Sequence, residues 1–263
     1  MFLTHFKLKA QPFCEHMPVD RLQQDERVTQ GLARLAYFVE VGTIALLTGS
    51  TGVCKSTLLK LFFQSLSRNR YNPIYIHLTH VKAIGLLKLI VRSLGEIPLR
   101  GKENLFLQII EKSKKSDLKT IIIIDECHLT DSDALIDLRL LVSADLEGEP
   151  PLKLVLTGQD ELWQQLKRTA HADLIHRISV KYHLSPFDSA QTASYIDFQM
   201  RSAGGTDKVF LKEAKDLIHD YTGGIPRQIN NVATACLINA MARDTQRVNA
   251  ELVTNTMAEF HLP

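Results

Sequence analysis

The amino-acid sequence predicts an α/β fold: a parallel five-stranded sheet wound between helices, followed by a small all-α subdomain. Three observations carry this. Short apolar runs alternate with amphipathic stretches as far as Leu184. One of them, TIIIID at Thr120–Asp125, is β-branched almost without a break, as expected for a strand buried on both faces of a parallel sheet. Beyond Ser185-Pro186 the strand signals stop and only helical periodicity remains.

The elements follow in order. Between Arg21 and Glu40, apolar residues at Leu22, Val28, Leu32, Leu35 and Val39 recur at helical spacing. Val41-Gly42 turns the chain into a strand at Thr43–Thr48. A glycine-bearing loop then opens a helix at Ser56–Ser67, with Leu58, Leu59, Phe62 and Leu66 on its core face. Pro73 begins a second strand, PIYIHL, and a helix covers Ala83–Leu94. Asn104–Lys115 is amphipathic, with Leu105, Ile109 and Ile110 inward. Thr120–Asp125, Leu152–Thr157 and Ile178–Leu184 supply the remaining strands. The helical subdomain holds Ser189–Ser202, Leu211–Tyr221, Pro226–Ala242 and Ala250–Phe260. Three segments result: 1–42, an N-terminal segment and helix; 43–185, the αβ core; and 186–263, the helical subdomain.

Composition narrows the function classes. Of 263 residues, 45% are hydrophobic and 23% charged, which is globular rather than disordered. The net charge is only +2, so contact with nucleic acid would need a local basic patch. Cys14, Cys54, Cys127 and Cys236 form no C-x-x-C pair, which speaks against structural zinc or a disulfide framework and suits a reducing compartment. No apolar run approaches the ~20 residues that span a bilayer, and the N-terminus lacks the apolar core of a signal peptide. A cytoplasmic protein without membrane contact is expected. His77, His80 and His128 have no carboxylate or cysteine cluster at metal-ligand spacing, so no metal site built on them is expected.

Two motifs point to phosphate chemistry. GSTGVCKST, Gly49–Thr57, lies between a strand and a helix and nearly matches the phosphate-loop pattern G-x-x-x-x-G-K-[ST]. In such a loop the backbone N–H groups of Gly49, Ser50, Thr51, Gly52, Val53, Cys54, Lys55, Ser56 and Thr57 can curl around phosphates, aided by the helix N-terminus. Lys55 would reach the β- and γ-phosphates and Ser56 would hold Mg²⁺. The second motif, IIIIDE at Ile121–Glu126, ends a buried strand in two acids. Asp125 would bind Mg²⁺, and Glu126 would orient and deprotonate an attacking water. Cys54 stands where the pattern requires its second glycine. A left-handed backbone there would cost about 1–2 kcal/mol for a side-chain-bearing residue. Weakened nucleotide binding is expected, and turnover is left open.

These stretches resemble the AAA+ ATPases of the ExeA (general secretion pathway protein A) type and their transposon-borne relatives, from about Phe6 to Arg243. The resemblance rests on QPF at Gln11–Phe13, the loop at Gly49–Thr57 and IIDECHLTDSDALIDLRLL at Ile123–Leu141. LVLTGQDEL at Leu154–Leu162, HRISVKYHLSPF at His176–Phe187 and YTGGIPRQIN at Tyr221–Asn230 extend it. It implies an AAA+ core with a helical lid at 186–263, ATP and Mg²⁺ as cofactors, and ATP hydrolysis by an oligomer. Thr157 resembles sensor 1, with Gln159 as second candidate. Arg177 stands where the family has its arginine finger, with Arg168, on a predicted helix, as the weaker candidate. Arg227 resembles the sensor 2 arginine of the lid.

The resemblance implies two tasks. One is assembly as a ring or filament on duplex DNA to assist a transposase in target selection, as in the similar TniB, IstB and Mu B proteins. Thr79 and Lys82 are the DNA-binding candidates, through sequence-tolerant phosphate contacts. The other is a secretion-associated role like that of ExeA itself. Secretion members continue into a membrane helix and a peptidoglycan-binding segment, and the sequence ending at Pro263 without them makes the transposition role the expectation. A nucleotide-binding scaffold without hydrolysis is the reading that Cys54 alone would favour.

Overall fold

The computed structural model describes residues 2–14, 23–144 and 150–260. The chain divides into two compact units. One comprises Glu26–Thr51 and Lys55–Leu184; the other comprises Met1–Asp25, Gly52–Cys54 and Ser185–Pro263.

The chain opens with a short helix, α1 (Phe2–His5), in the second unit. The first unit runs α2 (Glu26–Val41), β1 (Ile44–Thr48), α3 (Lys55–Ser65), β2 (Tyr71–His77), α4 (Ala83–Ser93), α5 (Lys102–Lys115) and β3 (Lys119–Asp125). It continues through α6 (Ser132–Val142), β4 (Leu152–Gly158), α7 (Asp160–Leu166), α8 (Ala172–Arg177) and β5 (Ile178–His183). The predicted sheet is present: five parallel strands in the order β2-β3-β4-β1-β5.

Burial explains the composition of the strands. Ile122 and Ile124 join Ile44, Leu46, Leu154 and Leu156 in a core shared with Leu86, Leu87 and Ile90 of α4 and Leu138 of α6. Ile121 and Ile123 alternate to the opposite face and are just as buried, so β3 has no polar face to show. The N-cap Asp131 accepts a hydrogen bond from the Ala134 N–H at 2.8 Å, which starts α6 two residues beyond a turn.

Three expectations are corrected. The first long helix begins at Glu26, and Gln23–Asp25 are not helical; Asp25 is a residue type that favours the position before a helix. Arg21 and Leu22 lie outside the described residues. Leu32 is half-buried, and Phe38 fills the core position instead. Arg168 does not lie on a helix: it is extended, between α7 and a short 3-10 turn at Thr169–His171.

The second unit adds α9 (Ser189–Ser202), α10 (Lys212–Thr222), α11 (Pro226–Ala242) and α12 (Ala250–Phe260). α9 starts from a capping box in which Asp188 and Gln191 satisfy each other's backbone N–H groups. Ile196, Ile218, Ala233, Leu237 and Val253 form its core, joined by Phe6 and Phe13 of the N-terminal segment. Phe13, the aromatic of QPF, packs edge-on against Phe210 at 5.9 Å between ring centres. Among the described residues no helix is long and apolar enough to cross a membrane.

The GGIP segment has a mechanical reason. Gly223 ends α10 in the left-handed region (φ 56°), and Pro226 begins α11 at its first turn. Gly224 (φ 71°) lies under Phe187: its carbonyl accepts the Phe187 N–H at 2.9 Å, and a Cβ there would stand 1.9 Å from the Phe187 oxygen. Gly224→Ala is therefore expected to destabilise the helical unit by more than about 2 kcal/mol, through a backbone clash as well as strain. Urea denaturation followed by circular dichroism measures it, with Gly223→Ala, where a Cβ meets nothing within 4 Å, as the milder comparison.

Candidate active site

The C-terminal ends of β1, β3 and β4 carry the polar residues of the first unit's site, the edge where open parallel sheets receive ligands. Its centre is Asp125, the last residue of β3, with 1% exposure. Its Oδ2 accepts hydrogen bonds from the Tyr75 hydroxyl at 2.8 Å and the Ser56 hydroxyl at 3.4 Å. Its Oδ1 accepts the Glu126 N–H at 2.9 Å and the Thr157 hydroxyl at 3.4 Å. A carboxylate is tolerated at such depth because every side of it is hydrogen-bonded.

The structure brings together Ser56, Asp125, Glu126 and Thr157, four of the residues singled out in the sequence. Tyr75 is an addition. It lies on β2, two residues before His77, whose register partner on β3 is Asp125. Side chains two apart share a strand face, so Tyr75 reaches the carboxylate diagonally. Burial first, then the hydrogen bond to Asp125, pushes the Tyr75 hydroxyl up from its ordinary value. It stays a protonated donor throughout the physiological range. His77 Nδ1 stands 3.8 Å from the Asp125 Oδ2.

Lys55, first residue of α3, is buried, and its Nζ donates to the carbonyls of Gly49 (2.8 Å) and Ser50 (3.0 Å). Gly52 has φ 86° and Cys54 φ 78°. The cysteine thus adopts the left-handed backbone that the pattern reserves for glycine. Glu126 is a second strained residue, at φ 56° and ψ 36°. Its left-handed turn starts a 3-10 segment, Cys127–Leu129, held by the Thr130 hydroxyl on the Cys127 carbonyl at 2.8 Å.

The donor set fits the expected cofactor. A lysine ammonium seated among loop carbonyls at the start of an eleven-residue helix offers positive charge to phosphate. The Ser56 hydroxyl beside the Asp125 carboxylate is a pair of hard oxygen ligands of the kind Mg²⁺ takes. Among the described residues no group of three or more His, Cys, Asp or Glu could hold another metal ion.

Other predicted residues lie at the surface, and the Arg227 N–H donates to the Gly52 carbonyl at 3.3 Å. Arg177 is exposed at the last position of α8. Thr79 and Lys82 are exposed between β2 and α4, with Lys82 as the N-cap of α4. Arg227, the second residue of α11, is exposed in the helical unit. A cleft of about 680 Å³ elsewhere on the first unit is lined by Arg70, Lys119 and Lys153. Its cations are engaged within the fold: Arg70 pairs with Glu40, and Lys153 donates to the Phe38 and Val39 carbonyls.

Comparison with known proteins agrees with this fold. A family model described as AAA domain matches residues 40–166. Cdc6p from Pyrobaculum aerophilum has the same fold, with a TM-score of 0.71 at 17% identity, over 94% of this chain and 70% of that one. The fold is the AAA+ P-loop fold, a five-stranded parallel sheet with flanking helices and a C-terminal helical region. ORC1 from Aeropyrum pernix, solved in complex with DNA, aligns with a TM-score of 0.67 at 17% identity, over 94% of this chain and 67% of that one. In sequence the chain is 27% identical to general secretion pathway protein A of Aeromonas hydrophila over 259 residues, 94% of this chain. It spans 46% of that relative's length.

The thiols of the chain differ sharply in access. Burial pushes the Cys127 thiol up to about 12 and the Cys236 thiol up to about 11, whereas Cys14 and Cys54 are half-buried. Iodoacetamide at neutral pH is expected to modify Cys14 and Cys54 and to spare Cys127 and Cys236 until the protein unfolds. Peptide mass mapping reads this directly. Cys54→Gly is expected to raise stability by about 1 kcal/mol through relief of the left-handed strain, measured by urea denaturation.

Proposed function

We propose that the protein binds ATP with Mg²⁺, hydrolyses it to ADP and phosphate, and works as a homo-oligomer. The observation that carries this reading is the convergence of Ser56, Glu126 and Thr157 on the buried Asp125 beside the Lys55 loop. In it the loop Gly49–Thr57 wraps phosphate with its N–H groups, and Lys55 exchanges loop carbonyls for the β- and γ-phosphates. Ser56 and Asp125 hold Mg²⁺, which when bound neutralises charge on the phosphate oxygens. Glu126 orients the attacking water and accepts its proton, and Thr157 helps to position that water. Arg177, being exposed, acts as the finger for a neighbouring protomer, where a guanidinium offsets transition-state charge. Arg227 serves as the sensor 2 arginine.

For the task, assembly on duplex DNA in support of a transposase is the reading we carry forward, with Thr79 and Lys82 as phosphate contacts. The exposure of both residues and the likeness in fold to an ORC1 protein in complex with DNA support DNA contact. A secretion-associated role is the second reading, favoured by the similarity to general secretion pathway protein A over 94% of the chain.

Phosphate release from ATP by the purified protein, with and without duplex DNA, tests the proposal. DNA-stimulated turnover is expected, falling at least about 100-fold in Glu126→Gln while nucleotide binding persists. Turnover indifferent to DNA would favour the secretion reading. Turnover only in Cys54→Gly would make the natural chain a non-hydrolysing scaffold. Lys82→Ala is expected to weaken DNA binding for all sequences and to reduce its salt slope by about 1. An unchanged affinity and slope would remove Lys82 from the interface.

A further inference from the structure

His128 is not accounted for by the roles above, yet its side chain is 11% exposed beside the site. Its Nδ1 stands 3.4 Å from Glu126 Oε2 and 3.5 Å from the backbone nitrogen of Gln159, whose N–H points at it. Residues i and i+2 do not face each other on a helix. Here the left-handed turn at Glu126 and the 3-10 segment behind it bring the two side chains together.

The imidazole is seated from the β4 side. A Cβ on Gly158, the last residue of β4, would stand 3.2 Å from both the backbone nitrogen and the Nδ1 of His128. No positive φ calls for glycine at 158; a Cβ there would also stand 3.1 Å from Leu162 Cδ2, so the missing side chain leaves space for both Leu162 and His128. From α7, the Gln165 side-chain amide donates to the His128 carbonyl at 3.0 Å. One nitrogen therefore lies between an acceptor, the Glu126 carboxylate, and a donor, the Gln159 N–H, and can serve only one at a time.

We propose that His128 is a positioning residue for hydrolysis. With a proton on Nδ1 it donates to Glu126 and fixes that carboxylate's direction. With Nδ1 bare it accepts the Gln159 N–H and leaves Glu126 free. The end of β4, which carries Thr157, is thereby coupled to the group that takes the proton from water. This rests on the reading of Glu126 as the general base.

The test compares His128→Asn with His128→Leu, each alone and combined with Glu126→Gln. The amide nitrogen of asparagine branches from the same carbon as Nδ1, so it keeps a donor near that place. His128→Leu is expected to lower kcat about tenfold with KM and nucleotide affinity unchanged, and His128→Asn to recover most of the rate. In the Glu126→Gln background neither substitution should change the residual rate. Equal kcat in wild type and His128→Leu overturns the proposal. So does an equal fall in both variants accompanied by a lowered melting temperature, which marks a merely structural role.

A second readout needs no turnover. In the nucleotide-free protein the ¹⁵N resonance of His128 Nδ1 is expected to move in Glu126→Gln, and a resonance that does not move overturns the contact. A wild-type protein without phosphate release overturns the hydrolysis reading instead, and the resonance then decides the contact by itself.

Discussion

A single buried carboxylate organises the αβ unit. Asp125 sits at the end of a strand with no polar face, at a depth where an unsatisfied charge would be prohibitive. Its partners come from different elements: Tyr75 from β2, Ser56 from α3, Thr157 from β4 and the Glu126 N–H from the turn behind it. Each must be delivered by strand register or by a helix start. A slip of one residue in β2 or β4 would turn Tyr75 or Thr157 to the other face. The apolar packing of the sheet and the chemistry of its edge are therefore one constraint met twice.

Much of this was legible in the sequence, for reasons that differ by element. The bounds of α9, α11 and α12 agree with the reading because their signals are local: the Asp188–Gln191 capping box, Pro226 at the first turn, and regular apolar spacing. β3 is unmistakable because a strand buried on both faces leaves no other composition open to it. α7 and α8, of 7 and 6 residues, are too short for periodicity to speak, and Arg168 was drawn into a helix that has already ended.

The site divides in the same way. Lys55, Ser56, Asp125 and Glu126 are contiguous motifs and could be read along the chain. Tyr75 and His128 depend on which residues face each other across strands and around a turn. Strand pairing decides the first, through the register that sets His77 opposite Asp125. A left-handed residue decides the second, and nothing in a string of letters marks Glu126 for φ 56°. The sequence does hold one trace of the packing of Leu162 and His128: a glycine directly after Thr157 on a strand that otherwise carries side chains throughout.

The two strained residues at this edge have different meanings. A left-handed conformation costs a side-chain-bearing residue about 1–2 kcal/mol, and the surroundings must hold it there. At Glu126 they do so with identifiable bonds: its N–H on the Asp125 carboxylate, its carbonyl accepting the Leu129 N–H at 2.9 Å, and Thr130 closing the turn. That strain aims a carboxylate out of the strand end and toward His128, so glycine at 126 would relieve it only by deleting the group it serves. At Cys54 the backbone takes the left-handed path that the phosphate-loop pattern gives to glycine, and glycine would adopt the same φ at less cost while losing only a thiol. Strain at 126 is thus tied to where its carboxylate points, whereas strain at 54 is a property of its side chain. The loop keeps its glycine-like path because Lys55 and the start of α3 beyond it are anchored by burial and by the Gly49 and Ser50 carbonyls.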